Sequence, residues 1–350
     1  MSDYCIKKNK SCYKKDSLIK IANQYNKYYD DKINIYSSKL YQDIKSRLNK
    51  KSECKKDICW LNLDFVKEIK PELIHNFRPL VPNDWITDKD KWLNSLDINN
   101  VMKQYENKYN DFIFIGTIPR DFNKKIYNSC VNELCNFNLY DYIKRNIKKI
   151  GIIFNIDLHT GDGKHWVAIY IDINKGSIFY FDSIGNEPYM EFVDFMNKVK
   201  IQGDELLYNN RLQINNTYNI LKNSIKEEDN IIKVDDSNDL KIGNIVYCSN
   251  NKIKYNYSDI NKIVNIDNNY IVLEKQIKKC KYLVQKTFRI FYNTIQHQKD
   301  NNECGMYCIH FLDSMIHNKD FYSYIKKINS DKLMNDLRFN KFFTPTHYLK

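Results

Sequence analysis

His165-Trp-Val-Ala-Ile-Tyr-Ile-Asp172, followed by Ser177-Ile-Phe-Tyr-Phe-Asp182, is the stretch that decides the fold. Both runs are short and rich in β-branched and aromatic residues, and a Gly-containing turn at Lys175–Gly176 joins them, as in hairpin strands. Gly151-Ile-Ile-Phe-Asn-Ile-Asp157 precedes them across a second turn at Gly161–Gly163. Three consecutive sheet strands follow from this pattern. His165 opens one strand and Asp182 ends the next, 17 residues later, which is the length of a strand, a tight turn and a strand. If those strands pair, both side chains emerge at one end of the sheet.

Outward from this hairpin the chain reads as mixed helix and strand. Phe112-Ile-Phe-Ile-Gly is a short buried strand, and Asn132–Lys148, Asp90–Tyr105 and Pro188–Lys200 carry helical spacing. Leu240–Tyr247, Ile263–Asp267 and Tyr270–Glu274 are short alternating strands, expected to form a small β-rich insertion over residues 234–286. A further strand over Lys286–Asn293 leads through a polar loop into an apolar helix, Cys304–Met315. Asn76-Phe-Arg-Pro-Leu-Val-Pro82 is a proline-punctuated connector. Before it, residues 1–75 form a lysine-rich extension with short basic helices expected at Asp16–Tyr29 and Ile35–Leu48. The expected division is therefore an extension, 1–75, and a main domain, 76–350, that contains the insertion.

Composition narrows the class. The 350 residues include 27 Tyr and 18 Phe but only 9 Gly and 6 Pro, which excludes a disordered or collagen-like chain. No run approaches the roughly 20 apolar residues of a bilayer span, and the first residues open no signal-peptide core, so no membrane partner is expected. The 55 Lys+Arg against 43 Asp+Glu give +12, a field that favours acidic partners. Alanine occurs only at Ala22 and Ala168 while Lys, Asn, Ile and Tyr abound, as AT-rich codons produce, so part of that charge reflects base composition. Ten cysteines are too dilute for a disulfide-stapled scaffold, and none shows C-x2-C spacing. They read as free thiols in a reducing compartment, with no metal and no cofactor, and one of them as a nucleophile.

The candidate is Cys304, in Gln298-Lys-Asp-Asn-Asn-Glu-Cys304-Gly305, where a polar loop becomes the first turn of an apolar helix. Free backbone N–H groups and the helix dipole at such a position favour a thiolate. Gly305 would let a substrate backbone approach closely. A nucleophilic cysteine needs a base, and the base an orienting acceptor, which His165 and Asp182 supply.

His165-Trp166, Phe181-Asp182-Ser183, and Gln298 six residues before Cys304-Gly305 together resemble the Ulp1/adenain class of cysteine proteases. The class includes SUMO-deconjugating enzymes and maturation proteases of large DNA viruses. Trp92–Glu106 and Phe112–Phe122 resemble the amino-terminal block of the giant-virus members. The resemblance covers about Pro79–Lys200 and Lys286–Met315. It implies an α+β, papain-like fold with a central mixed sheet flanked by helices. It further implies Cys304 as nucleophile, His165 as base, Asp182 as the residue orienting the imidazole, and Gln298 as oxyanion donor beside the Cys304 backbone N–H. Gln296 has the wrong offset. In the deconjugating relatives, indoles at the positions of Trp92 and Trp166 form a tunnel that passes only Gly-Gly, so a requirement for small residues is implied. Here the WLND motif reads WLNS, and Ser95 replaces the acid that grips the ubiquitin-like protein.

The expected function is a cysteine endopeptidase that processes viral precursor polyproteins at Gly-Gly-X-like sites, in the virion and the host cytoplasm. Two alternatives are a protease of SUMO- or ubiquitin-like conjugates and a basic scaffold that binds nucleic acid in the virion core. Weak nucleic-acid binding through the basic extension is compatible with the first.

Overall fold

The computed structural model of the chain describes residues 11–52, 57–77, 79, 81–88, 90–215, 219–225, 229–238, 240–249, 260–277 and 280–342. In chain order the helices are α1 (Lys15–Tyr28), α2 (Leu40–Lys51), α3 (Lys70–Leu73), α4 (Ser95–Lys108), α5 (Leu139–Lys144), α6 (Met190–Tyr208), α7 (Cys304–Ile316), α8 (Phe321–Lys326) and α9 (Asp331–Lys341). The strands are β1 (Phe112–Pro119), β2 (Lys125–Ile126), β3 (Ser129–Cys130), β4 (Lys149–Asn155), β5 (Trp166–Asp172), β6 (Ser177–Phe181), β7 (Asn219–Ile225), β8 (Asp229–Lys233), β9 (Ile245–Ser249), β10 (Ile260–Asp267), β11 (Tyr270–Ile277), β12 (Cys280–Gln285) and β13 (Arg289–Tyr292). They fall into two compact units, residues 1–110 with 300–309 and 329–350, and residues 111–299 with 310–328.

The second unit is built on a mixed five-stranded sheet in the order β1-β4-β5-β6-β13. β1 runs parallel to β4, the neighbours β4–β5 and β5–β6 are antiparallel, and β13 is parallel to β6. The C-terminal ends of β1, β4, β6 and β13 and the start of β5 therefore share one end of the sheet. Alternate residues face opposite layers. Ile150, Ile152 and Phe154 of β4, Val167, Ile169 and Ile171 of β5, and Ile178 and Tyr180 of β6 share a core with Phe192, Phe195, Met196 and Val199 of α6. On the other face Phe181 stacks on Phe311 of α7 at 4.9 Å, and Tyr170 donates to the Met315 carbonyl at 3.2 Å. Both faces are covered, and this is why β5 is an unbroken buried run.

A second, antiparallel sheet in the same unit has the order β7-β12-β9-β10-β11-β8. It extends the expected insertion upstream, because β7 pairs with β12 and β8 with β11 before residue 234 is reached. Asn219-Ile-Leu-Lys-Asn-Ser-Ile and Asp229-Asn-Ile-Ile-Lys are too polar to announce themselves as strands. The helix expected over Asn132–Lys148 is broken as well. Asn132 caps a 3-10 turn at Glu133–Asn136 and Asn138 caps α5, each accepting an N–H two residues on.

The first unit has its own helical core. Leu18, Ile21, Ala22 and Tyr25 of α1 pack with Ile44 and Leu48 of α2 and with Trp60 and Phe65. Phe77 belongs to this core, so the unit continues past the expected boundary at residue 75. α2 starts later than expected, at Leu40. Asp57 is buried and accepts from Ser11 Oγ (3.1 Å), the Cys12 N–H (2.9 Å) and Tyr41 Oη (3.0 Å). The cysteine reading is also corrected. Cys130 and Cys135 form a disulfide, their Cα atoms 6.4 Å apart, which ties the end of β3 to the 3-10 turn at Glu133–Asn136. Cys12, Cys59 and Cys248 are disulfide-bonded too, and among the described residues the free thiols are Cys304 and Cys308.

A buried ion pair in the first unit holds the turn that enters α7. Arg338 Nε donates to Glu303 Oε2 at 2.8 Å, with side chains 0% and 3% exposed. Arg338 also donates to the carbonyls of Lys91 (2.6 Å) and Asn302 (3.0 Å) and lies over the Trp85 ring. Burial pushes the Glu303 carboxyl above its usual range, against the pull of the guanidinium. Removing one partner of such a pair strands the other charge at a cost of about 3–5 kcal/mol, whereas replacing both is far milder. Arg338→Met is therefore expected to lower the unfolding free energy by about 3–5 kcal/mol in urea titrations, and Glu303→Leu/Arg338→Met to recover most of it. Equal losses in the single and double variants would show that the loss does not come from a stranded Glu303 charge.

Candidate functional site

β4 and β5 are joined by a loop that its own side chains shape. Asn155 Oδ1 accepts the N–H groups of Asp157 (2.9 Å) and Lys164 (3.0 Å), and the Ile156 N–H reaches the His165 carbonyl at 3.0 Å. The chain is thereby returned to the sheet with His165 immediately ahead of β5. A second anchor is Asp121, which accepts the His159 N–H at 2.9 Å and lies 2.7 Å from His159 Nδ1. Burial pushes the Asp121 carboxyl up, but the bonds from His159 outweigh it and hold it below its usual range.

β6 delivers Asp182 to the same end of the sheet. His165 Nε2 and Asp182 Oδ1 are 2.7 Å apart, with side chains 12% and 3% exposed. Asp182 Oδ1 also accepts the Ile184 N–H at 3.0 Å. The loop after Asp182 packs on the segment that follows β13. Asn293 Nδ2 donates to the carbonyls of Asp182 (2.7 Å) and Ile295 (3.0 Å). Gly185 makes this approach feasible: its φ is +78°, and a Cβ there would lie 3.0 Å from backbone atoms of residues 294–296. A side chain would be strained in conformation and would push the two segments apart.

Gln298 is buried in this arrangement. The N–H groups of His297 and Gln298 both donate to the Ser183 carbonyl at 2.8 Å, and Ser183 Oγ donates to Gln298 Oε1 at 2.7 Å. This bond turns the amide oxygen of Gln298 toward Ser183. Gln296 Nε2 donates to the Gln298 carbonyl at 2.9 Å. Trp166 begins β5 and is buried.

In the first unit, Cys304 is the first residue of α7 and is a buried free thiol. Gly305 follows, and a Cβ on it would meet Leu93 side-chain atoms at 3.0 and 3.1 Å. The space that a Gly305 side chain would need is thus taken by Leu93, beside Trp92. Trp92 itself is 38% exposed.

The second unit therefore joins His165 to Asp182 and Ser183 to Gln298, while Cys304, Gly305 and Trp92 belong to the first. Sequence reasoning missed Ser183, Asn293, the Asp121–His159 anchor and the Glu303–Arg338 clamp. Ser183 stood next to Asp182 in the quoted motif, but a serine gives no sign of which amide it will hold.

Residues 117–239 match the Ulp1 protease family, C-terminal catalytic domain. A protein of Acanthamoeba polyphaga mimivirus, provisionally named a thiol protease, is 35% identical over 205 residues, which is 52% of this chain and 65% of that protein. The chain thus spans slightly less than two thirds of this relative's length. A cysteine protease of African swine fever virus is 27% identical over 188 residues, 47% of this chain and 67% of that protein. The same protein from other isolates is named a SUMO-1 cysteine protease. A crystal structure of the African swine fever virus protease aligns over 97% of this chain and 94% of its own with 16% identity and a TM-score of 0.49. The matched span 117–239 contains both members of the His165–Asp182 pair, so the part of the chain that is similar to the Ulp1 protease family includes this contact.

Proposed function

We propose that the chain is a cysteine endopeptidase that cleaves after small residues, at Gly-Gly-X-like sites, in precursors of viral structural or core proteins during virion maturation. The observation that carries this reading is the partly buried 2.7 Å contact between His165 Nε2 and Asp182 Oδ1 within the span that matches the Ulp1 family. A carboxylate on Nε2 fixes the ring and stabilises the imidazolium, which leaves proton transfer to Nδ1. Cys304 supplies the nucleophile: its proton passes to His165 and its sulfur adds to the scissile carbonyl. The oxyanion takes the Gln298 amide and the Cys304 backbone N–H. Collapse of this intermediate breaks the C–N bond, and the imidazolium returns its proton to the leaving amine. Water, deprotonated by His165, then hydrolyses the thioester and restores the thiol.

The viral origin of the relatives supports a virion or host-cytoplasm setting. Trp92 and Trp166 provide the small-residue requirement on this reading, and the lysine-rich residues 1–75 provide weak nucleic-acid affinity. The second reading, a protease of SUMO- or ubiquitin-like conjugates, is favoured by the name given to several of the relatives. Ser95, in place of the acid of the deconjugating motif, weighs against it. Purified protein assayed on a di-Gly peptide from a core precursor and on a SUMO C-terminal fluorogenic substrate separates the two: the first substrate is expected to be cleaved faster, and the reverse preference selects the second reading.

Cys304→Ala is expected to abolish turnover without loss of folding. Gln298→Ala should lower kcat by about 10²–10³-fold, the usual cost of one oxyanion donor. Ser183→Ala should lower kcat by about tenfold at unchanged KM, because only the orientation of that donor is loosened. An unchanged kcat in both Gln298→Ala and Ser183→Ala would remove Gln298 from the oxyanion site.

Replacing either glycine of a Gly-Gly-X peptide by valine is expected to reduce kcat/KM nearly to background. Comparable values for the Gly and Val peptides would remove the small-residue requirement and the role given to the two indoles.

A further inference from the structure

At the end of the five-stranded sheet away from His165, about 20 Å along β5, strand register sets two rows of side chains across three strands. Asp172, Ser177 and Arg289 stand opposite one another, and so do Tyr170, Phe179 and Phe291. Both rows lie on the face covered by α7 and α8, where Phe179 stacks on Phe321 at 4.8 Å. Lys319, Asp320 and Tyr322 lie across from the rows and complete a cavity of about 350 Å³. That volume is at the small end of the range of ligand sites, about 300–1,000 Å³.

The charges in this cavity are unevenly used. Asp172 accepts the Lys175 N–H at 3.0 Å and lies 3.6 Å from Lys175 Nζ, and Asp320 caps α8 by accepting the Ser323 N–H at 2.8 Å. Both carboxylates are thus committed within the protein. The side chains of Arg289 and Lys319 have no hydrogen bond or ion pair to any described residue. Arg289 is half-buried, in the row beside the aromatic one, in which Phe179 and Phe291 stack at 5.2 Å and Tyr322 meets Phe291 edge-on. A guanidinium partly withdrawn from water, with a second cation and a ring surface in the same cavity, matches a ligand with one anionic group and one flat ring.

We propose that this cavity binds a small phosphate monoester carrying a planar ring, of which a nucleoside 5′-monophosphate is the simplest member. The ring lies against the Phe179–Phe291 row and Tyr322. The phosphate takes Arg289, whose fork suits two of its oxygens, and Lys319. A dianion suits two unpaired cations better than a single carboxylate does. The site is distinct from the His165–Asp182 end of the sheet and does not depend on the proposed proteolysis.

Isothermal titration of the full chain with adenosine 5′-monophosphate, adenosine, inorganic phosphate and a short peptide ending in phenylalanine tests the proposal. The monophosphate should bind with a Kd below about 1 mM and at least about tenfold more tightly than any of the other three. Arg289→Ala and Phe291→Leu should each weaken it by about tenfold or more, the scale of one lost charge-assisted or stacking contact. Circular dichroism and melting without ligand check that both variants remain folded, and Arg289→Lys, which keeps the charge but not the fork, should fall between wild type and Arg289→Ala. Absence of monophosphate binding, equal binding by folded Arg289→Ala, or tighter binding of the phenylalanine peptide would overturn the proposal.

Discussion

The pairing register of β5 with β6 is the constraint on which the rest of the candidate site depends. Ala168 stands opposite Phe181, and continued by one residue this register brings Asp182 to the level of the first residues of β5. A slip of one residue would turn Asp182 to the opposite face, among the aromatic side chains packed against α7, and away from His165. Such a slip is penalised along the whole strand, because Val167, Ile169 and Ile171 fill one core while Trp166, Ala168 and Tyr170 face the other layer. The hydrophobic packing of both faces thus holds a polar contact at the rim to within a hydrogen-bond length. The same topology gathers the loops after β1, β4, β6 and β13 at this end, so Asp121, His159, Ser183 and Gln298 are neighbours of the sheet end for the same reason.

Cys304 depends on a different device. A helix start that must stay at one place is secured by a charge pair buried beside it, Glu303 with Arg338, and by a glycine that lets Leu93 approach the first turn of α7. Buried ion pairs add little net stability compared with apolar side chains of the same size. Their directional bonds, here from one guanidinium to Glu303 and to the Lys91 and Asn302 carbonyls, fix the position of three chain segments at once. Positioning the turn is a better account of this pair than stability is.

Much of the sheet was legible in the sequence, because β4, β5 and β6 follow one another with clear composition and glycine turns between them. His165 and Asp182 were legible through their places at strand ends, and Cys304 through the change from polar loop to apolar helix. What escaped notice was set by tertiary partners. Ser183 and Asn293 act through side-chain bonds to residues 111 to 115 positions away, and no local pattern encodes such a partner. β7 and β8 are polar strands that exist only through their pairing with β12 and β11. Asn132 and Asn138 look like ordinary helix residues until each is seen to start a separate turn. For the cysteines, spacing alone cannot report that Cys130 at the end of β3 meets Cys135 in the 3-10 turn that follows.

A mechanism-based probe gives the most direct measurement. A Gly-Gly peptide bearing a C-terminal vinyl sulfone adds rapidly only to a thiol whose proton a neighbouring histidine takes up and returns to the carbon beside the sulfone, with the peptide held in line. Intact-mass and peptide mapping of the treated protein should find one adduct, on Cys304, formed rapidly in the wild type and far more slowly in His165→Ala and Asp182→Ala. Adduct on Cys308, the other free thiol of the described residues, or equal labelling rates in wild type and His165→Ala, would contradict a Cys304–His165–Asp182 protease.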